Sequence, residues 1–257
     1  MSMNDEQQFN QAAPNAVRYL DASALNRPQK ITNRQKPFAL VLVVLGVLVG
    51  AFMLFQVVDN FVLASTHVQE RMEQNLNRDV SLDLPKIKKL VGLSDDKLRS
   101  TLEKDATIFD YPTSSDDETA FDVVKLPSDK SEGDIKPLYE KGIASLKADE
   151  AVLALFGAWR LDTSSTNGYF IRLRYADFTS GSVEAAITAA MDSQGLKEKS
   201  VLESDVDNSG NTYKTGQKKI DGTTYTWRIS ALPLSDMYDI SGLPENAVFV
   251  GIRYTKQ

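Results

Sequence analysis

The hydropathy pattern is dominated by one unbroken apolar run near the amino terminus. Residues 38–58 contain no charged side chain, and Gln56 is the only polar one. A helix that rises about 1.5 Å per residue would span roughly 31 Å over this run, which matches a hydrocarbon core of about 30 Å. The pattern therefore predicts a single transmembrane helix over residues 38–58.

Charge placement predicts the orientation of that helix. Residues 1–37 carry five basic and three acidic side chains, whereas the first charge after the run is Asp59. Basic residues collect on the cytoplasmic side of a span. We therefore expect a cytoplasmic (inner) membrane protein that crosses once, with its amino terminus in the cytoplasm and its carboxyl-terminal part outside. The tail, residues 1–37, is poor in large apolar residues and is predicted to be disordered.

A helical stalk is predicted directly after the span. Residues 59–79 contain neither Gly nor Pro, and they keep a sparse apolar row. Within the span itself, Gly46 and Gly50 form a Gly-x-x-x-Gly pair, a spacing that lets two helix backbones approach closely. A homodimer through the transmembrane helix is therefore one alternative.

The remaining chain predicts two α+β units, a small one over residues 80–129 and a main domain over residues 135–257. In the small unit, Ser94 is the predicted N-cap of a helix, and two strands follow over 107–111 and 120–126. A polar stretch at 128–134 is the predicted boundary.

The main domain alternates helical and strand patterns. Ser182 is the predicted start of a helix that Gly195 ends, and Asp221-Gly222 predicts a hairpin turn. The other predicted elements are helices over 137–147 and 149–156, and strands over 159–162, 169–178, 199–206, 212–220, 223–232 and 248–254. The fold class expected is α+β, an antiparallel sheet packed with helices.

Strand alternation separates an apolar face of this sheet from a face rich in arginine. Five of the eight arginines beyond residue 58 fall on the second face, with two phenylalanines. Guanidinium groups beside aromatic rings suit phosphate or carboxylate groups of a ligand. The alternative is a water-facing surface whose arginines pair with acidic residues on neighbouring strands. The predicted site residues are Arg160, Arg172, Arg174, Arg228, Arg253, Phe170 and Phe249.

The amino-acid composition excludes several kinds of catalytic and metal-binding site. The chain has no cysteine and one histidine, His67, so thiolate nucleophiles, cysteine-ligated metals and histidine-rich metal sites are excluded. We expect no cofactor and no metal. Beyond residue 58 there are 24 basic and 32 acidic side chains, a balance that disfavours nucleic acid as a partner.

Three functions remain open at this point. The leading hypothesis is a non-catalytic, membrane-anchored binding or scaffold protein of a bacterial cell envelope, with an anionic envelope polymer or an envelope protein as its partner. The first alternative is a tethered envelope enzyme that uses carboxylates or the Ser94/Lys97 pair. The second is a structural subunit of a secretion or division complex.

Overall fold

The computed structural model describes residues 45–53, 64–113, 115, 117–164 and 169–257. The chain divides into two compact units, Met1–Val58 and Asp59–Gln257.

In the first unit, the described residues 45–53 are helical. Their large apolar side chains are exposed, for example Phe52 and Met53 at 61% and 63%. None of the helices in the described ranges is both long and apolar enough to cross a membrane. The tail 1–37 and residues 38–44 and 54–58 of the predicted span lie outside the described residues, so the transmembrane helix stays a prediction.

The second unit is α+β, as predicted: one eight-stranded antiparallel sheet packed with helices. The strands are β1 Thr107–Asp110, β2 Glu118–Val124, β3 Ala158–Ser164, β4 Phe170–Asp177, β5 Val201–Val206, β6 Thr212–Ile220, β7 Thr223–Pro233 and β8 Val248–Lys256. The helices are α1 Ala64–Leu76, α2 Asp95–Leu102, α3 Glu132–Lys141, α4 Ala148–Leu155, α5 Val183–Ser193 and α6 Leu234–Met237, with short 3₁₀ turns at Ile87–Lys89, Ile143–Ser145 and Glu198–Ser200.

Strand order in the sheet is β1-β2-β3-β4-β8-β7-β6-β5. Strands β1 to β4 form one run of neighbouring strands, and β5 to β7 form a second. The β6–β7 hairpin turns at Asp221 and Gly222, which both have positive φ as the sequence pattern requires. Strand β8 lies between β4 and β7, so it joins the two halves into one sheet.

The polar stretch predicted as a domain boundary lies within this sheet domain. Strand β2, from the predicted small unit, pairs with β3 along its whole length. The stretch also starts a helix: Ser131 and Asp134 form a capping box, and α3 therefore begins at Glu132, before the Pro137 start that the sequence predicted.

The apolar face predicted from alternation forms the main core. Trp227, Ile229 and Leu173 are fully buried on it, and α2, α5 and the 3₁₀ turn at Ile87–Lys89 cover it. Ser182 caps α5 as predicted, with its hydroxyl accepting a hydrogen bond from the Ala185 amide at 3.3 Å.

Helices also cover one end of the opposite, arginine-bearing face. There α3 and α4 pack over residues such as Ala158, Val124 and Ala176. Within the predicted stalk, helix α1 covers Ala64–Leu76. This helix does not stand apart from the domain, because it packs on α4 through Met72, which is 5% exposed. Polar contacts hold it there: Arg71 donates to the Asp149 carboxylate at 2.5 Å, and Asn75 donates to the Asp149 carbonyl at 2.8 Å. This helix is therefore part of the folded domain.

Candidate anion-binding site

The sheet register brings the five predicted arginines together on one face. Arg172 on β4 is the register partner of Arg253 on β8, which is also the partner of Arg228 on β7. These three residues form a line across three adjacent strands, named here the arginine row. Two residues further along β4, Arg174 lies opposite Arg160 on β3.

Most of these arginines form ion pairs with aspartates. Arg160 donates two hydrogen bonds to Asp122 at 2.7 and 2.9 Å. Arg174 donates two to Asp162 at 2.9 and 2.5 Å, and Arg172 adds one to the same carboxylate at 3.2 Å. The expectation of acidic partners on neighbouring strands therefore holds for these three residues.

Arg228 is fixed differently, by a turn and a ring. Its guanidinium donates to Asp207 at 2.7 Å and lies 3.7 Å from the centre of the Tyr213 ring. The Asp207 carboxylate also accepts hydrogen bonds from Asn211, and these lower the pKa of Asp207. The turn after β5 thus holds one end of the arginine row in place.

Arg253, at the centre of the row, has no ion-pair partner among the described residues. Its side chain is exposed, and its guanidinium lies 4.2 Å from the centre of the Phe170 ring. Partial burial of the guanidinium, followed by the positive charges of Arg172 and Arg228, lowers the pKa of Arg253, and the negative charge of Glu118 offsets part of this effect. An arginine still keeps its charge at neutral pH, so among the described residues this charge has Glu118 nearby but no carboxylate in ion-pair contact.

One guanidinium group of the arginine face, that of Arg253, is in contact with no carboxylate among the described residues. The other four contact three carboxylates, those of Asp122, Asp162 and Asp207. Like charges directly opposite one another on adjacent strands are destabilising. An oxyanion placed over the row would relieve that repulsion with charge-assisted hydrogen bonds.

A cleft of ≈ 190 Å³ lies beside this face, where the sheet meets its helical cover. Phe249 lies here and packs edge-on against Tyr238, with ring centres 6.2 Å apart. Of the two predicted phenylalanines, Phe170 therefore contacts the arginine row at Arg253, whereas Phe249 lines the cleft. The residues that line the cleft include Tyr111, Arg160, Arg174, Met237, Tyr238 and Phe249.

The charged side chains that line the cleft are held by ion pairs and a ring contact. Asp122 is 6% exposed, and burial raises its pKa, while the hydrogen bonds from Arg160 offset part of that effect. Arg160 also lies 3.3 Å from the centre of the Tyr111 ring. The Tyr111 ring and the carboxylates of Asp122 and Asp162 thus hold the long side chains of Arg160 and Arg174, which lowers the entropy lost when a ligand binds.

The other predicted residues lie elsewhere. Gly46 and Gly50 belong to the helical segment 45–53, and a Cβ added at either one would meet no atom within 4 Å; self-association stays a prediction. Ser94 precedes α2 without a side-chain cap hydrogen bond, and it lines a separate hollow with Asp95 and Asp117. The position of Ser94 in this hollow neither supports nor contradicts the enzyme hypothesis. Over the described part of the chain, no group of three or more acidic, His or Cys side chains could hold a metal ion.

Sequence reasoning did not identify several residues of the site. Asp122 and Asp162 occupy strand positions whose side chains point to the same face as the arginines on the neighbouring strands. This alternation could have identified the two aspartates as partners. Met237 and Tyr238 could not have been found in this way, since they come from α6 and its end, about 80 residues from their neighbours on β3.

Comparison with known protein families, with curated protein sequences and with solved structures gives no match.

Proposed function

We propose that this chain is a membrane-anchored, non-catalytic binding protein of a bacterial cell envelope, whose extracytoplasmic α+β domain holds an anionic group of an envelope polymer or envelope protein on the arginine row. The observation that carries the proposal is Arg253, an exposed arginine without a carboxylate partner in the described ranges, set between two other arginines. A phosphate or carboxylate would supply the ion-pair contact that no described carboxylate makes with Arg253.

The membrane anchor is supported by the apolar run and by its described part. Fifteen of its 21 residues are Leu, Val or Phe, which together favour insertion by about −5 to −9 kcal/mol. Side chains of residues 45–53 such as Leu48 and Val49 are 62% and 53% exposed. A helix that leaves apolar side chains uncovered needs an apolar surrounding, and lipid provides one.

The proposal is tested with the full chain in detergent micelles, by its retention on an isolated anionic envelope polymer. We expect Arg253→Gln to weaken retention at least about tenfold, since hydrogen bonds to charged groups contribute about 1.5 to 3 kcal/mol. Higher salt should weaken the wild type in the same direction, because salt screens exposed charges.

Arg99→Gln is the matched control. It removes the same charge from a guanidinium that also lies over a ring, 4.8 Å from the centre of Phe121, but outside the arginine row. Arg99 pairs with Glu103 and Asp110, so urea unfolding must show that both variants remain folded. Equal retention of wild type and Arg253→Gln, or equal loss in both variants, would overturn the assignment to the row.

A further inference from the structure

The cleft beside the arginine row combines an apolar wall with a charged edge. Phe249, Tyr238 and Met237 supply carbon surface, and Met237 is 41% exposed at the rim. Arg160 and Arg174 line the other side. Arg160 is already paired with Asp122, and Arg174 is already paired with Asp162. The cleft therefore offers burial to an apolar group, while Arg253 is the arginine of this face that contacts no carboxylate among the described residues.

The size of the cleft limits the apolar group. An apolar cavity of about 150 Å³ is enough to hold benzene. At ≈ 190 Å³ the cleft accommodates one ring or a short alkyl group, and a long acyl chain would exceed it. Ring edges suit the walls, because Phe249 and Tyr238 already pack edge-to-face.

Gly251 connects the cleft to the arginine row. On β8, Phe249, Gly251 and Arg253 point to the same face because side chains alternate along a strand. Gly251 lies between Arg174 and Ser230 in the register, and it adds no side chain to that surface. A ligand can thus lie along β8, from the cleft at Phe249 to the charge at Arg253.

The spacing suits a single small ligand. Residues two apart on one strand are about 7 Å apart, so Arg172 lies about that far from Arg174 at the edge of the cleft. Arg253 is the cross-strand partner of Arg172, with Cβ atoms of such pairs about 5 Å apart. A ring with a directly attached phosphoryl or carboxyl group spans the step from the edge of the cleft to Arg172. Phe249 and Arg253 are four residues apart on β8, about 13 Å between their Cα atoms, so the Arg253 side chain must turn from Phe170 toward the cleft to meet the same group.

We propose that the site recognises a small amphipathic anion, with its ring or short alkyl group in the cleft at Phe249 and Met237, and its phosphate or carboxylate on Arg253 and Arg172. This ligand class rests on the proposed function, since it uses the same arginine row. It adds a requirement that an anion-binding surface alone would not have, namely an apolar group of limited size next to the charge.

The test compares inorganic phosphate, phenyl phosphate and the neutral benzyl alcohol, each titrated calorimetrically into the full chain in detergent micelles. Phenyl phosphate should bind at least about tenfold more tightly than inorganic phosphate, the gain from burying roughly two methylene-sized units. Benzyl alcohol should bind more weakly than phenyl phosphate, because it lacks the charge. A titration into protein-free micelles corrects for partitioning of the ring into detergent.

Two variants locate the parts of the ligand. Met237→Gln should remove the advantage of phenyl phosphate and leave inorganic phosphate binding unchanged, whereas Arg253→Gln should weaken both anions at least about tenfold. Leu202→Gln, at a 72% exposed apolar residue on β5 at the far edge of the sheet, is the control and should change neither.

Failure of this inference is distinct from failure of the proposed function. Equal affinity of the wild type for the two anions, or an unchanged advantage in Met237→Gln, would remove the apolar requirement and leave the anion site standing. Binding of neither anion would overturn both.

Discussion

At the scale of single residues, the buried carboxylate of Asp177 is stabilised by local hydrogen bonds. Asp177 ends β4, and its carboxylate accepts hydrogen bonds from the Thr179 and Ser180 amides at 2.8 and 2.9 Å and from the Ser180 hydroxyl at 2.5 Å. Burial acts to raise the pKa of Asp177, but these hydrogen bonds outweigh it and the pKa is lowered.

The lowered pKa gives a pH-dependent prediction. A group whose pKa is lower in the folded than in the unfolded state stabilises the fold above its unfolded value near 3.8, and this contribution is lost as the pH falls through the folded value. Asp177→Asn should therefore reduce the free energy of unfolding by about 1 to 3 kcal/mol at pH 7. The difference from wild type should shrink in urea unfolding near pH 3.

Asp239→Asn, at an exposed carboxylate, is the control for this experiment. It removes the same charge and should change the unfolding free energy little at either pH. A constant difference between Asp177→Asn and wild type from pH 7 to pH 3 would contradict the role given to ionised Asp177.

At the scale of elements, one glycine allows two parts of the apolar face to pack closely. Gly216 on β6 is the register partner of Trp227 on β7. A Cβ at Gly216 would lie 2.5 Å from the Trp227 ring and would collide with the Ser200 carbonyl oxygen. An isolated glycine within a strand often marks such a close approach.

We expect Gly216→Ala to lower the free energy of unfolding by about 1 to 3 kcal/mol, since the fully buried Trp227 has little room to move. Gly133→Ala is the matched control: it lies in α3, and its Cβ would meet only the Ser131 hydroxyl at an ordinary 3.6 Å. That change should stabilise the fold by about 0.5 kcal/mol. Equal effects in urea unfolding would contradict the packing described for Trp227.

The elements also show how far the sequence carries a prediction. Local signals were sufficient for α5, with its Ser182 cap, and for the β6–β7 hairpin, with its Asp221-Gly222 turn. They misplace the start of α3, because Pro137 is a typical first helical residue, whereas the capping box that starts this helix lies six residues earlier, at Ser131.

The same limit applies to the candidate site. Period-two alternation was enough to collect the five arginines on one face, because each lies within a strand. It could not show that β8 lies between β4 and β7, which places Arg253 between Arg172 and Arg228. That pairing joins residues 81 and 25 positions apart, so no local pattern contains it.

At the scale of the whole molecule, the proposed anchor and the docked helix α1 can be tested together. We expect the full chain to sediment with membranes and to need detergent for release, because of residues 38–58. A chain that begins at residue 64 should be recovered in the high-speed supernatant and should unfold cooperatively, since α1 and the sheet are both retained. Recovery of the full chain in the supernatant would contradict the anchor.

A chain that begins at residue 80 should be less stable than one that begins at residue 64, by at least about 3 kcal/mol. It loses the burial of Met72 and leaves Asp149 without the partners Arg71 and Asn75. Urea unfolding of the two shortened chains measures the difference. Identical midpoints would mean that α1 contributes nothing to the fold.

The position of β8 has a consequence for how the protein is made. Ribosomes synthesise β8 after all seven strands that it unites, so β4 and β7 each present an open edge until residues 248–256 emerge. Unpaired edges recruit strands from other chains. The interval between completion of β7 and arrival of β8 is thus when nascent molecules are most exposed to aggregation, and when a chaperone would protect them most.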